Sequence, residues 1–167
     1  MVLPRTFALL LALIAASVHA SPTADLREVG RASLKAMFWP IFDSTLFSPD
    51  GQFKQVEPGL ALEIQYRRKL GSDALIASTR REWQKLSLYS EESEAWLAEA
   101  ARLWPSLERG DRLLLRVDDD LGSEFYFNER LLGTLADPEF TRRFLAIFIS
   151  ERSSYPRLRD RLVGSVD

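Results

Sequence analysis

An α+β fold with a mostly antiparallel sheet is predicted by three observations on the 167-residue sequence. The extended segments are gathered into runs, the helical segments are gathered into runs, and the order is β-β-β, α-α, β-β-β, α-α, which suits a sheet with helices covering one face. No internal repeat, linker or low-complexity stretch divides the chain, so one domain suffices.

The chain opens with Arg5, an unbroken apolar run from Phe7 to Ala16, and then Ser17-Val18-His19-Ala20, with small residues placed for cleavage after Ala20. Residues 1–20 therefore read as a signal peptide, being too short for the roughly 20 apolar residues of a membrane span. Residues 21–167 are expected to be released as a single domain in the bacterial periplasm or outside the cell. No cysteine stands at the cleavage point to carry a lipid anchor.

Arg31 to Phe47 reads as two strands broken near Trp39-Pro40 and closed by the turn Ser48-Pro49-Asp50-Gly51, with Pro40 arguing for an edge or a bulge. From Leu60 the alternation sharpens. Leu60, Leu62, Ile64 and Tyr66 fall on one face and Ala61, Glu63, Gln65 and Arg67 on the other, the mark of a half-buried strand. Gly71-Ser72-Asp73 supplies a turn and an N-cap, after which Leu75, Ile76, Thr79, Trp83 and Leu86 recur at helical spacing. Ser90 before Glu91 and Glu92 reads as the cap of a second helix with the stripe Trp96, Leu97, Ala100 and Leu103, ended by Trp104-Pro105. Three strands follow, Arg112 to Val117, Ser123 to Phe127 and Arg130 to Leu135, the first two joined as a hairpin by Asp118 to Gly122. Asp137-Pro138 starts a helix with Phe140, Phe144, Ile147 and Phe148 on its buried face, and a last short helix runs from Pro156 to Val163, with Gly164 at its end.

Composition excludes several chemistries. His19, the only histidine, lies in the leader, so the released chain has neither His nor Cys. Ser-His and Cys-His nucleophiles, thiol redox chemistry and His or Cys metal sites all need the missing residue types. The net charge is −2, or −3 once Arg5 is removed, and the basic pairs are scattered among acids, which speaks against nucleic acid. Asp118-Asp119-Asp120 lacks the alternating spacing of a calcium loop and reads as a solvated hairpin tip. No metal and no cofactor is expected.

Gly30-Arg31-Ala32, Phe38-Trp39 and Thr45-Leu46-Phe47-Ser48-Pro49-Asp50-Gly51 resemble the opening of the bacterial chalcone isomerase-like proteins. Trp83, Trp104-Pro105 with Gly110-Asp111, Phe125-Tyr126-Phe127-Asn128, Asp137-Pro138-Glu139-Phe140 and Leu162-Val163-Gly164 follow in the same order. The resemblance covers nearly the whole released chain and implies an open-faced β-sandwich, a large antiparallel sheet packed against a layer of helices with a ligand cleft between them. Plant enzymes of that fold close a flavanone ring with an arginine, threonines, and a Tyr and an Asn on the tryptophan-bearing helix. Gly71 and Ser78 stand where that Tyr and Asn would be, and Pro40 falls near one threonine, so the polar set of the isomerase is missing. Non-catalytic relatives bind fatty acids through an arginine and a tyrosine; the resemblance assigns Arg31 to the cation and puts Phe42 near the place of the tyrosine.

The residues themselves offer further candidates. Arg68 lies one step beyond Tyr66 on the inward face, placed either to meet an anionic ligand in a cleft or to leave the sheet for solvent. Tyr66, as a buried phenol, needs a partner in the main chain or in a ligand. Trp83, with Thr79 one turn before it, lines either a pocket or plain core. The expected ligand-binding set is thus Arg31, Tyr66, Arg68, Thr79 and Trp83, with no catalytic residue assigned. The expected function is a non-catalytic exported protein that binds a small apolar or carboxylate-bearing, fatty-acid-like ligand. An isomerase or lyase-type acid-base enzyme on the same fold, and a module whose sheet face contacts another protein, are the alternatives.

Overall fold

The computed structural model describes residues 20–165, so the expected leader lies outside the described residues but for Ala20. Strands β1 (Arg27–Ala36), β2 (Trp39–Ser48), β3 (Ala61–Tyr66), β4 (Arg112–Val117), β5 (Ser123–Phe127) and β6 (Arg130–Leu135) form one sheet in chain order. Every neighbouring pair is antiparallel. Helices α1 (Ser72–Lys85) and α2 (Ser93–Leu103) leave between β3 and β4, and α3 (Pro138–Ile149) and α4 (Pro156–Leu162) follow β6. The four helices make one layer, in which α2 lies against β6, α3 against β5 and α4 back against β1. This is the α+β open-faced arrangement expected from the sequence.

Period-two alternation aims Leu46, Leu62, Ile64, Leu113, Leu115 and Phe125 at the helices, and all are buried. The helices return an aromatic seam: Trp83 lies 6.1 Å from Trp96 and 6.0 Å from Phe140, both edge-on, and Phe144 follows Phe140 at 5.9 Å. Such contacts add roughly 0.5–1.5 kcal/mol each to area burial. Asp137 caps α3 as its sequence requires, its carboxylate accepting the Glu139 N–H at 2.8 Å with Pro138 in the first turn.

Gly30 on β1 faces α4, and a Cβ there would stand 2.1 Å from the Arg161 carbonyl and 2.8 Å from that of Leu162. The missing side chain lets the last helix close on the edge strand and bury Leu158 and Leu162. The opposite sheet face carries Asp43, Thr45, Glu63 and Gln65, and further along it Arg116 holds residues 22–25 across the surface through the Pro22 carbonyl at 2.6 Å and Asp25 at 2.8 Å.

Three local expectations are corrected. The break between β1 and β2 falls at Met37-Phe38, not Trp39-Pro40, because Ala36 pairs directly with Trp39. Pro40 sits inside β2 opposite Lys35 at a register shift, beyond the last β2–β3 pair at Phe42 and Tyr66, where no neighbour needs its missing N–H. Helix α2 begins at Ser93 rather than just after Ser90. The Ser93 hydroxyl accepts the Ser90 N–H at 3.0 Å, while the Ser90 hydroxyl donates to Glu92 at 2.6 Å and accepts from Arg143 at 2.6 Å. At α1 the N-cap is Gly71 with no side chain to offer, and Ser106 from the chain after α2 accepts the Ser72 N–H at 3.2 Å.

Candidate functional site

Between the β1–β3 part of the sheet and helices α1 and α3 lies an open-mouthed cavity of about 250 Å³. Leu34, Phe42, Ile64 and Tyr66 line it from the sheet, Leu75 and Thr79 from α1, and Phe144, Ile147 and Phe148 from α3. Each arrives by the periodicity of its element, alternate residues on the strands and three- or four-residue spacing on the helices. Arg68, Ser78, Arg81, Glu82 and Tyr155 supply the polar part of the lining. The interior is therefore apolar, with a few charged and hydroxyl groups in its wall, as small-molecule sites commonly are.

Tyr66 is the distinctive residue. It is 4% exposed, and its hydroxyl has no hydrogen-bond partner among the described residues. It is not among the polar atoms sealed from solvent without a partner, which are Glu82 Oε2 and Trp104 Nε1, so the phenol opens on the cavity. Burial pushes its pKa well above the ordinary tyrosine value, so it stays a neutral hydrogen-bond donor. Phe42 is its direct cross-strand partner, with ring centroids 6.3 Å apart.

Arg68 follows β3 at the cavity wall, exposed and without an ion-pair partner among the described residues. Arg81 is also exposed, and its only side-chain partner among the described residues is the Ser78 hydroxyl at 3.0 Å. Glu82 is tied down by Lys85 at 2.8 Å and by the Tyr155 hydroxyl, which donates at 3.2 Å. Burial raises the Glu82 pKa, but the hydrogen bonds from Lys85, Ser154 and Tyr155 outweigh it and hold the carboxyl below its usual value. At neutral pH this acid is ionised and engaged, while Arg68 and Arg81 have no acid partner among the described residues.

Of the five expected ligand-binding residues, Tyr66, Arg68 and Thr79 are brought together. Thr79 is buried, with its hydroxyl donating to the Leu75 carbonyl at 3.0 Å. Trp83 is not on the cavity; it is fully buried and its indole donates to the Arg143 carbonyl at 2.9 Å, a core role. Arg31 is not there either. It pairs across the strands with Thr45, one residue out of phase with Ala32 and Leu34, so it points to the opposite sheet face. There it is held by Glu28, through Nε at 2.8 Å, at the edge of a shallow polar hollow shared with Asp43, Glu63 and Arg112. Arg81, Glu82 and Tyr155 were not anticipated. Arg81 and Glu82 neighbour Trp83 on α1 but lie outside its apolar stripe, so spacing gives them no inward signal, and Tyr155 reaches the site only through the α3–α4 turn.

Among the described residues no cluster of three acidic, histidine or cysteine side chains is arranged to hold a metal ion. Asp118 is engaged within its own loop, accepting the Gly122 N–H at 2.7 Å and the Asp120 N–H at 3.0 Å. No helix among the described residues is long and apolar enough to cross a membrane.

No protein-family model matches the chain. An uncharacterised protein of Haemophilus influenzae is 24% identical over 145 residues, covering 87% of this chain and 71% of that protein. The crystal structure of a fatty-acid binding protein of Arabidopsis thaliana superposes with a TM-score of 0.63 over 84% of this chain and 88% of that one, at 13% identity. At that identity the likeness speaks to architecture: the sheet and its helix layer have the chalcone isomerase-like fold.

Proposed function

We propose that this chain is a non-catalytic, exported bacterial protein of the chalcone isomerase-like family that binds a small apolar ligand bearing a carboxylate, of fatty-acid type. The observation that carries the reading is the Tyr66 hydroxyl, which faces a cavity whose wall also holds Arg68 and Arg81, the hydroxyl without a hydrogen-bond partner and the two guanidiniums without acid partners among the described residues. A hydroxyl that opens on the cavity is free to donate, and a carboxylate bound there would accept from it in a charge-assisted hydrogen bond. The resemblance expected a tyrosine near position 42; Phe42 stands there, and the residue opposite it on the next strand is Tyr66. The phenol is thus offered from the neighbouring strand, with Arg68 taking the role first assigned to Arg31. A fatty-acid binding protein sharing the fold supports the same reading.

Size narrows the ligand. Taking a methylene group as about one water in liquid volume, roughly 30 Å³, the cavity of about 250 Å³ holds about eight such groups. A medium-length acyl chain fits inside, and a longer one would extend through the open mouth. The test is calorimetric titration of the purified protein with octanoic, decanoic and palmitic acids and with the matching alcohols. Saturable binding of an acid is expected, weakened about tenfold or more in the alcohol and in Arg68→Ala, and unchanged in Arg31→Ala. Absence of binding, or an alcohol that binds as tightly as its acid, would refute the carboxylate-anchoring reading.

A further inference from the structure

The β1–β2 hairpin ends in a turn made by Met37 and Phe38 alone, closed by the pair Ala36 and Trp39. Met37 is 88% exposed, Phe38 90% and Trp39 75%, the most exposed large apolar side chains among the described residues. Met37 also has a φ of 56°, a backbone that two-residue hairpin turns normally give to glycine, asparagine or aspartate. Neither turn chemistry nor solvation favours these residues here, and local choices that oppose the fold tend to mark function.

The tip stands clear of the sheet. The β2–β3 pairs run to Phe42 and Tyr66, and the Ile41 carbonyl still accepts the Arg67 N–H at 2.9 Å, so Trp39 and Pro40 run past the sheet as part of a two-stranded projection, roughly 7 Å long at the usual rise per residue. At its base lie Lys35, Arg67 and Arg68 against one acid, Asp43. Arg67 pairs with Asp43, which leaves Lys35 and Arg68 without ion-pair partners among the described residues. This end is locally positive in a chain whose net charge is −2.

We propose that the hairpin tip is a membrane-docking finger, with Met37, Phe38 and Trp39 entering the interface of an anionic bilayer and Lys35 and Arg68 set against its headgroups. A lipid surface suits the tip better than a protein partner on two counts. At roughly 150–250 Å² per aromatic-sized side chain, the tip offers about 600 Å², short of the roughly 800 Å² per partner in a stable protein interface. Its reach and composition match an interfacial element, which buries roughly 5–10 Å into the headgroup boundary and favours tryptophan and flanking cations. Leu34 and Ile41 continue from the finger into the cavity wall, so docking turns the cavity end with Arg68 toward the lipid. The docking itself does not depend on what occupies the cavity.

The protein carries its own reporter, because Trp83, Trp96 and Trp104 are all at least nine-tenths buried and only Trp39 is exposed. Vesicles of phosphatidylglycerol and phosphatidylcholine in equal parts should shift tryptophan emission to the blue saturably, and the binding should weaken at raised salt and on phosphatidylcholine alone. The double variant Met37→Ser/Phe38→Ser, which keeps Trp39, should bind these vesicles about tenfold or more weakly. Lys35→Glu, which leaves the apolar tip whole, should lose the preference for anionic lipid. An unchanged emission with both vesicle types, or undiminished binding by the double variant, would overturn the proposal. Sedimentation as a dimer that Met37→Ser/Phe38→Ser turns into a monomer, with no vesicle binding, would assign the tip to self-association instead.

Discussion

Tyr66 and Arg31 differ by a matter of parity. Tyr66 belongs to the inward register of β3, evident from Leu60, Leu62 and Ile64 before it, and its phenol opens on the cavity without a partner among the described residues. Arg31 stands between Val29 and Ser33 at even spacing, a mixed signal, and its side of the sheet follows only from pairing with Thr45. The contrast leads to a prediction that separates binding from folding. Tyr66→Phe removes a buried hydroxyl that makes no internal bond, so the ligand-free protein should be as stable as the parent or more stable by up to about 1 kcal/mol. The same change should weaken fatty-acid binding. Urea unfolding beside calorimetry checks both halves, and a loss of more than about 1 kcal/mol in stability would mean that the hydroxyl is a structural link.

At the scale of elements, several ends are completed by distant residues. The N-terminus of α1 takes Ser106 as its acceptor, and the turn before α2 closes backward from Ser93 while Ser90 serves Arg143 on α3. Alternation and helical spacing along the chain locate these elements, but a cap borrowed across 34 residues leaves no local trace. The junction of α4 with β1 depends likewise on Gly30. Gly30→Ala should cost about 1–3 kcal/mol, because the added methyl meets backbone carbonyls on α4 that cannot turn away. Gly71→Ala, where nothing lies within 4 Å, should cost under about 1 kcal/mol. Equal losses in the two variants, measured by urea unfolding, would mean that the close approach at Gly30 is unimportant.

For the whole molecule, two exposed carboxylates tie stability to acid pH. Glu94 on α2 accepts hydrogen bonds from Arg80 on α1 and from Tyr89, which bring its pKa from 4.5 down to about 2. Asp50, bound by Lys54 and by the Gln52 amide, is lowered from 3.8 to about 2. Both folded values lie below the unfolded ones, so their contribution is fully present above the unfolded pKa and is lost as pH falls toward the folded pKa. The denaturant midpoint of the parent should therefore fall as pH drops from about 5 to about 2. Glu94→Gln and Asp50→Asn should begin lower at neutral pH and converge on the parent in acid. Curves that stay parallel would show that these hydrogen bonds are not the source.

The order of elements, the buried face of β3, the capped start of α3 and the antiparallel α+β class are all determined by the sequence alone, because each rests on spacing or capping within a few residues. The family resemblance carried the open face and the cleft. The tertiary structure alone decided that Arg31 lies outside the cleft, that Trp83 is core, and that Arg81, Glu82 and Tyr155 border the cavity. It also decided that the hairpin turns on Met37 and Phe38. These outcomes depend on strand register and on which helix covers which strand. Such pairings join residues far apart in the chain, and a one-residue change of register reverses the face each side chain meets.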